Sequence, residues 1–261
     1  MARAPSARLQ RLLRSALVGL AAVALARGAG AQAATDSSAR RLRFNPGGIR
    51  PGQFVYQMTL ERDAGTSVIG TRTVTVSISN YAGTPAWLIL ETRLLESSLD
   101  TDSLFADLVG LHPLHWGAKI GSARLSAEFR GDTAFGGTSG PPGRRSMVAS
   151  VPAVTFINGA MLETILRLLP LSASWEDSAQ VFTASLGANA TVPTRLSVIG
   201  EDRVRLPAGT FDCWVVAVHG GDQARALYWV TKSDPIVVRS AHDLPSMGGA
   251  QLVNSLTRIG R

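Results

Sequence analysis

Apolar and polar residues alternate along several stretches of this chain, and this pattern restricts the fold more than any other feature of the sequence. A two-residue period places one set of side chains on each face of a β-strand, whereas a helix repeats every 3.6 residues. The apolar members of the three clearest runs are Phe54, Tyr56, Met58 and Leu60, then Val74, Val76 and Ile78, and then Leu125, Ala127 and Phe129. These runs predict half-buried strands of an antiparallel sheet.

Turn-forming residues separate such runs, for example at 63–65, 80–83 and 200–202. Runs and turns together predict about ten or eleven short strands, without the strand-helix alternation of a parallel sheet. The expected fold is therefore mainly β: a single antiparallel, strongly curved sheet or half-barrel. The glycine- and proline-rich stretch 131–145 is interpreted as a mobile connection between strands.

One short helix is predicted at residues 159–169, where Asn158 can cap the start and Pro170 ends the pattern. Its apolar stripe consists of Met161, Leu162, Ile165, Leu168 and Leu169. Only Glu163 and Arg167 are charged, which is few for a helix at a membrane surface. A helix packed across the open end or face of the sheet is therefore favoured over a membrane-touching helix.

The N-terminus has the pattern of an export signal. Arginines precede an apolar run at 16–26, and small residues follow it. A run of this length is too short to span a bilayer. We therefore predict a signal peptide at 1–33, a polar linker at 34–47 and a β half-barrel domain at 48–261, in a protein that is periplasmic or otherwise exported.

The charge balance gives little reason to expect a polyanionic partner. The 26 basic residues exceed the 19 acidic residues by seven, but five of the basic residues lie within the first 33 positions. A surplus of two then remains for the rest of the chain, so nucleic-acid binding is not predicted.

Residues with catalytic potential are sparse. Cys213 is the only cysteine and lies in an apolar run, which favours a small buried side chain over a reactive thiol. His112 and His115 are three positions apart around Pro113, so an extended strand would point them to opposite faces and away from a shared metal. We predict no catalytic residue, no metal site and no cofactor.

Aromatic residues are the better candidates for a binding site. Trp214 and Trp229 fall on neighbouring predicted strands, which are apolar on both faces as central strands are. Core packing explains such residues, but a half-open barrel can also place them around an elongated apolar ligand. The candidate ligand-binding residues are Phe54, Tyr56, Trp87, Trp214 and Trp229.

The C-terminal third resembles the bacterial domain-of-unknown-function family 3108. The resemblance is carried by VRLPAGTFDCWVV at 204–216, ALYWVTK at 226–232 and IVVR at 236–239, and more loosely by 102–104, 112–114 and the helix ending at 169–171. It extends over roughly 48–259. The family is similar in character to the periplasmic lipoprotein carriers, whose unclosed antiparallel half-barrels surround helices and bind acyl chains. The resemblance thus implies a carrier-like fold and no catalytic residues.

These observations favour a non-enzymatic cell-envelope protein that binds a lipid or another apolar ligand, without membrane-spanning segments. A second hypothesis is an envelope scaffold that binds a protein partner through its sheet edges and holds no small ligand. An outer-membrane barrel is a weaker third, because only three tyrosines are available for aromatic girdles. An enzyme is the fourth and would need distant residues to converge in space.

Overall fold

The computed structural model describes residues 42–260 except 142, 152–154, 158, 185–188 and 221–223. The predicted export signal, most of the predicted linker and Asn158 lie outside these residues. The strands of the first half are β1 Gly52–Arg62, β2 Gly65–Tyr81, β3 Thr84–Leu95, β4 Ser98–Ala106, β5 Pro113–Ile120, β6 Ala123–Arg130, β7 Thr133–Gly140, β8 Gly143–Ser150 and β9 Thr155–Ile157. Helix α1 Ala160–Leu166 follows, and then come β10 Glu176–Ala184, β11 Asn189–Leu206, β12 Gly209–Gly220, β13 Ala224–Thr231, β14 Val237–Leu244 and β15 Ala250–Gly260.

All fifteen described strands belong to one sheet. Its order is β8-β7-β6-β5-β4-β3-β2-β1-β15-β14-β13-β12-β11-β10-β9. The chain thus forms two series of neighbouring strands, β1 to β8 and β9 to β15, and β1 pairs with β15 at the centre of the sheet. Each neighbouring pair is antiparallel except β9 with β10, which is parallel. The prediction of a single antiparallel sheet is confirmed for every pair of strands except β9 with β10.

The sheet curves into a barrel-like shape that is not closed. Its two edge strands, β8 and β9, share no backbone ladder in the described part of the chain. The Thr191 hydroxyl on β11 donates to the Ser150 carbonyl on β8 at 3.3 Å, which brings the two ends of the sheet together. Side-chain contact therefore spans the gap.

The predicted strand number is wrong. The described part of the chain has fifteen strands, and the expected turn at 200–202 lies inside β11, which continues through a bulge between Val198 and Gly200. A bulge absorbs one extra residue without ending the strand, so glycine and acidic residues there do not mark a turn.

The stretch 131–145 is also different from its prediction as a mobile connection. It contains all of β7 and the start of β8, which pair from Thr133↔Ser150 to Gly140↔Gly143. Glycine is required within β7, because a Cβ at Gly136 would collide with the carbonyl oxygen of Ser126. Here glycine permits close approach of neighbouring strands and does not indicate a loop.

The predicted alternation is confirmed on most strands. Phe54, Tyr56, Met58 and Leu60 are buried on β1, as are Val74 and Val76 on β2 and Leu125 and Ala127 on β6. Two residues differ from the prediction: Ile78 is 57% exposed near the end of the 17-residue β2, and Phe129 on β6 is only partly buried. The inward faces of the strands thus form the core.

Helix α1 is shorter and more deeply placed than predicted. It covers seven residues, and every one of them is buried, including Glu163 and Thr164. The residue before it, Gly159, has φ of 86°, a conformation that favours glycine. Because every residue of α1 is buried, the helix lies inside the barrel, and its polar side chains find their partners there.

Two apolar clusters fill the interior. The larger surrounds α1 and includes Trp87, Ile165, Phe182 and Trp229. The smaller contains Met58, Leu60, Leu244, Ala250 and Leu252, near the turns that join β1 to β2 and β14 to β15. A layer of polar side chains lies beside both clusters, and it forms the candidate site.

Candidate functional site

The polar layer is organised around a buried arginine. The guanidinium of Arg72 donates from Nη1 to both carboxylate oxygens of Glu163, at 2.8 and 3.0 Å, and from Nη2 to Glu91 at 2.8 Å. Arg93 adds a second cation, 3.2 Å from Glu91. Two arginines therefore balance two carboxylates, as buried charges require.

Three structural elements bring these charges together. Arg72 lies on β2 in phase with the buried Val74, and Glu91 lies on β3 in phase with the buried Ile89. Both side chains therefore point inward, where α1 supplies Glu163. Because α1 is ion-paired to the wall at its centre, the network fixes the helix inside the barrel.

The network perturbs the pKa values of its members. Burial raises the pKa of Glu91, but the positive charges of Arg72 and Arg93 outweigh it and lower the pKa to about 2. Burial also raises the pKa of Glu163, and there it prevails over the opposing charge of Arg72. For Arg72, the two carboxylates outweigh burial and raise the pKa above its usual value. Glu91 is thus held firmly as a carboxylate.

A cavity of about 110 Å³ adjoins this network; we call it the central cavity. Met58 and Leu252 of the smaller apolar cluster and Phe182 of the larger one form part of its wall. Its polar lining residues are Arg72, Glu91, Arg93, Asp102, Glu163, Thr183, His242 and Asn254. The cavity therefore has both apolar and hydrogen-bonding surfaces.

Asp102 is the most unusual acid of the cavity. Burial raises its pKa from 3.8 to about 7, and the negative charge of Glu91 adds to the rise. Arg93 and a hydrogen bond oppose it: the indole Nε1 of Trp116 donates to Asp102 Oδ1 at 2.8 Å. Near neutral pH this carboxyl can accept or donate a hydrogen bond.

A second polar group lies on β14 and β15. Asn254 donates from Nδ2 to the Ser240 hydroxyl at 3.0 Å, and His242 Nε2 lies 3.2 Å from the same oxygen. Burial lowers the pKa of His242 to about 4, and the charge of Arg72 adds to the effect, so the ring is neutral near pH 7.

Two polar atoms of the cavity residues remain free. Asn254 Oδ1 and Arg93 Nε are buried and have no hydrogen-bond partner within the described residues. A buried polar atom without a partner costs roughly 1–3 kcal/mol. The residues that carry these two atoms line the cavity.

The five aromatic residues predicted to bind a ligand lie elsewhere. Phe54, Tyr56, Trp87 and Trp229 are buried, Trp214 is half-buried, and none of them lines the central cavity. Trp214 and Trp229 do occupy paired strands, as predicted: Trp214 lies opposite Val230, and Trp229 opposite Val215. Their role toward a ligand stays a prediction.

Several of these aromatic residues have a polar or cationic neighbour. The Trp229 indole donates to Asp202 at 2.8 Å, and the Tyr56 hydroxyl donates to the Val237 carbonyl at 2.8 Å. The Arg167 guanidinium lies 4.6 Å from the centre of the Phe54 ring. These contacts explain the residues as parts of the folded core.

The structure also places the remaining chemical candidates. Cys213 is buried, as predicted, and burial raises the pKa of its thiol to about 12. Within the described ranges, no group of three or more His, Cys, Asp and Glu side chains is suitably arranged for a metal ion. No helix in the same ranges is long and apolar enough to cross a bilayer.

Sequence reasoning missed the central cavity, although a signal existed. Three charged residues occupy inward positions of alternating strands, each two positions from an apolar residue on the same face: Arg72 with Val74, Glu91 with Ile89, and Asp102 with Leu104. A charged residue in phase with buried apolar residues needs a buried partner. That conflict marks the site better than the aromatic residues do.

Fold and site together define a barrel-like β domain built around one buried, ion-paired helix. The crystal structure of a β-barrel-like protein of domain of unknown function DUF1849 from Brucella abortus is similar in fold. It superposes with a TM-score of 0.50 at 13% identity, over 81% of this chain and 98% of that chain. A Bacteroides fragilis protein with a YmcC-like fold gives 0.30 at 10% identity, over 82% and 97%. The fold assignment rests on the Brucella protein.

The chain belongs to the family described as "Protein of unknown function (DUF3108)", which it matches over residues 55–248. This match confirms the resemblance to the family, which was expected over roughly 48–259. No curated protein matches the chain.

Proposed function

We propose that this protein is an exported, non-enzymatic binding protein of the cell envelope, and that its central cavity takes up the end of a lipid-like ligand. The observation that carries the proposal is the central cavity, which two apolar clusters border and which the polar side chains of Asp102, His242 and Asn254 line. An apolar molecule with a polar end matches both kinds of wall.

The size of the cavity defines how such a ligand binds. Pockets that enclose a whole small molecule measure roughly 300–1,000 Å³, whereas the central cavity measures about 110 Å³. One polar end and a few adjoining carbons therefore enter, and the rest of the ligand stays outside. Asp102 supports this mode of binding, because its carboxyl near a pKa of 7 can pair with either a donor or an acceptor.

Apolar burial supplies the remaining affinity. Met58, Phe182 and Leu252 form the wall against which the ligand packs, and each Å² of the ligand's own apolar surface removed from water contributes roughly 25 cal/mol before ordering costs. Binding of this kind requires neither a nucleophile nor a metal.

A scaffold function is the second candidate. Strand β8 pairs only with β7 in the described part of the sheet, and its Val148 is 72% exposed. An open edge with an exposed apolar side chain can accept a strand from a partner protein.

Native mass spectrometry of protein gently released from cells tests the ligand. We expect a bound lipid-like mass on the wild type. Thr183 lines the cavity, so T183F should fill it and remove that mass; T66F adds the same ring at an exposed position of β2 and should retain it. Circular dichroism checks that both variants keep their sheet. An empty wild-type protein would refute the proposal, and crosslinking to one envelope protein would then favour the scaffold.

A further inference from the structure

A second concave surface lies on strands β4–β8, apart from the polar network. It is a groove of about 540 Å³, and we call it the basic groove. Its lining contains Lys119, Arg124, Arg144 and Arg145 together with six serine and threonine hydroxyls, and it contains no carboxylate. Such a lining differs from that of the central cavity, where arginines and carboxylates balance one another.

The strand register explains why the cations converge. Lys119 on β5 lies directly opposite Arg124 on β6, Arg124 lies opposite Ser139 on β7, and Ser139 lies opposite Arg144 on β8. The row therefore crosses four neighbouring strands. Its three cations are exposed, whereas the alternate residues Ala123 and Leu125 are buried.

This arrangement is unfavourable for the isolated protein. Like charges directly opposite each other in a sheet are destabilising. Within the described residues, none of the four basic side chains forms an ion pair with a carboxylate. The β4 carboxylates Asp100 and Asp102 do not relieve the repulsion, because they lie in phase with the buried Leu104, on the other face of the sheet from the cations.

Glycine and small hydroxyl residues shape the floor. The neighbouring row across the same strands runs from Ser103 through Gly117, Ser126 and Gly137 to Ser146, so no large side chain fills the groove. A Cβ at Gly137 would collide with the carbonyl oxygen of Arg145, which makes glycine obligatory there. The groove thus combines a row of cations with a neighbouring row of glycine and short hydroxyl side chains.

We propose that the basic groove binds a phosphate group, carried either by a lipid headgroup or by a soluble phosphorylated molecule. Arginine pairs bidentately with phosphate oxygens, and serine and threonine hydroxyls donate to the remaining ones. A bound phosphate also neutralises the opposed cations. The inference does not depend on the function proposed for the central cavity, since the residues that would contact phosphate do not line that cavity.

Two probes distinguish the sources of the phosphate. Inorganic pyrophosphate, titrated calorimetrically into the full chain, represents a soluble ligand. Flotation with phosphatidylcholine vesicles, with or without phosphatidic acid, represents a headgroup. The test variant is R124Q/R144Q, and R258Q is the control, because Arg258 is an exposed strand arginine outside the groove.

We expect wild type and R258Q to bind pyrophosphate, phosphatidic acid vesicles or both, with binding weakened by added salt. R124Q/R144Q should bind at least about tenfold more weakly, because each arginine contributes a charge-assisted hydrogen bond. Binding of the vesicles alone assigns the ligand as a headgroup, and binding of pyrophosphate assigns a soluble phosphate. Absence of binding to both probes, or equal loss in R258Q, would overturn the inference.

Discussion

Removal of the Arg72 side-chain charge should be among the most damaging substitutions in this protein. Arg72 makes three charge-assisted hydrogen bonds, and the side chains of Arg72, Glu91 and Glu163 are only 5%, 5% and 7% exposed. R72M leaves Glu163 without a cationic partner, whereas Glu91 keeps Arg93. Because an uncompensated buried charge costs about 3–5 kcal/mol, we expect a loss of that size in unfolding free energy.

Urea unfolding followed by circular dichroism measures this loss at neutral pH. The double variant R72M/E163M removes both charges, so it should recover most of the stability that R72M loses. R93M should cost less than R72M, since the Arg93 side chain is 18% exposed and Glu91 would retain Arg72. A loss below about 1 kcal/mol for R72M, or a double variant less stable than R72M, would refute the assignment of a charge-balanced network.

Three further predictions concern other parts of the fold. Because the folded pKa of Asp102 is raised from 3.8 to about 7, its contribution to stability falls as pH rises between these values; D102N should therefore gain stability over wild type at pH 8 and not at pH 3, in urea titrations at both pH values. G136A should lose about 1–3 kcal/mol in chemical unfolding because its methyl group meets Ser126 backbone, whereas G200A, which meets nothing within 4 Å, should be nearly neutral. R124Q removes the repulsion between the positive charges at positions 124 and 119, so its midpoint of thermal unfolding at low salt should equal or exceed that of wild type. A clear decrease of the midpoint would contradict the electrostatic argument.

Much of the fold could be predicted because burial repeats along the strands. The run from Phe54 to Leu60 alternates as the core requires, and the chain has strong turn residues at many hairpins. The predictions of a loop at 131–145 and a turn at 200–202 were wrong, because glycine lies inside strands at both places. At Gly136 it permits close strand approach, and at Gly200 it follows a bulge, whereas composition alone suggests a loop or a turn.

The site was harder to predict because its members come from distant parts of the chain. Arg72 and Glu163 are 91 positions apart and meet only when α1 enters the barrel. The alternation pattern places Arg72 and Glu91 inward, but it does not identify their partner. Burial of all of α1 was also unpredictable from its apolar stripe, because the sequence does not show that Glu163 pairs with Arg72.

The pairing of the first and last strands has a consequence for biogenesis. Strand β15 completes the sheet between β1 and β14, and the Thr257 hydroxyl donates to a carbonyl 202 positions earlier, that of Val55. A chain that emerges N-terminus first can therefore assemble β1 to β8, but it leaves the β1 edge unpaired until β15 arrives. Such nascent chains are prone to aggregate, so chaperone protection should be needed until β15 has paired, and a premature stop before β15 should leave two aggregation-prone fragments of sheet.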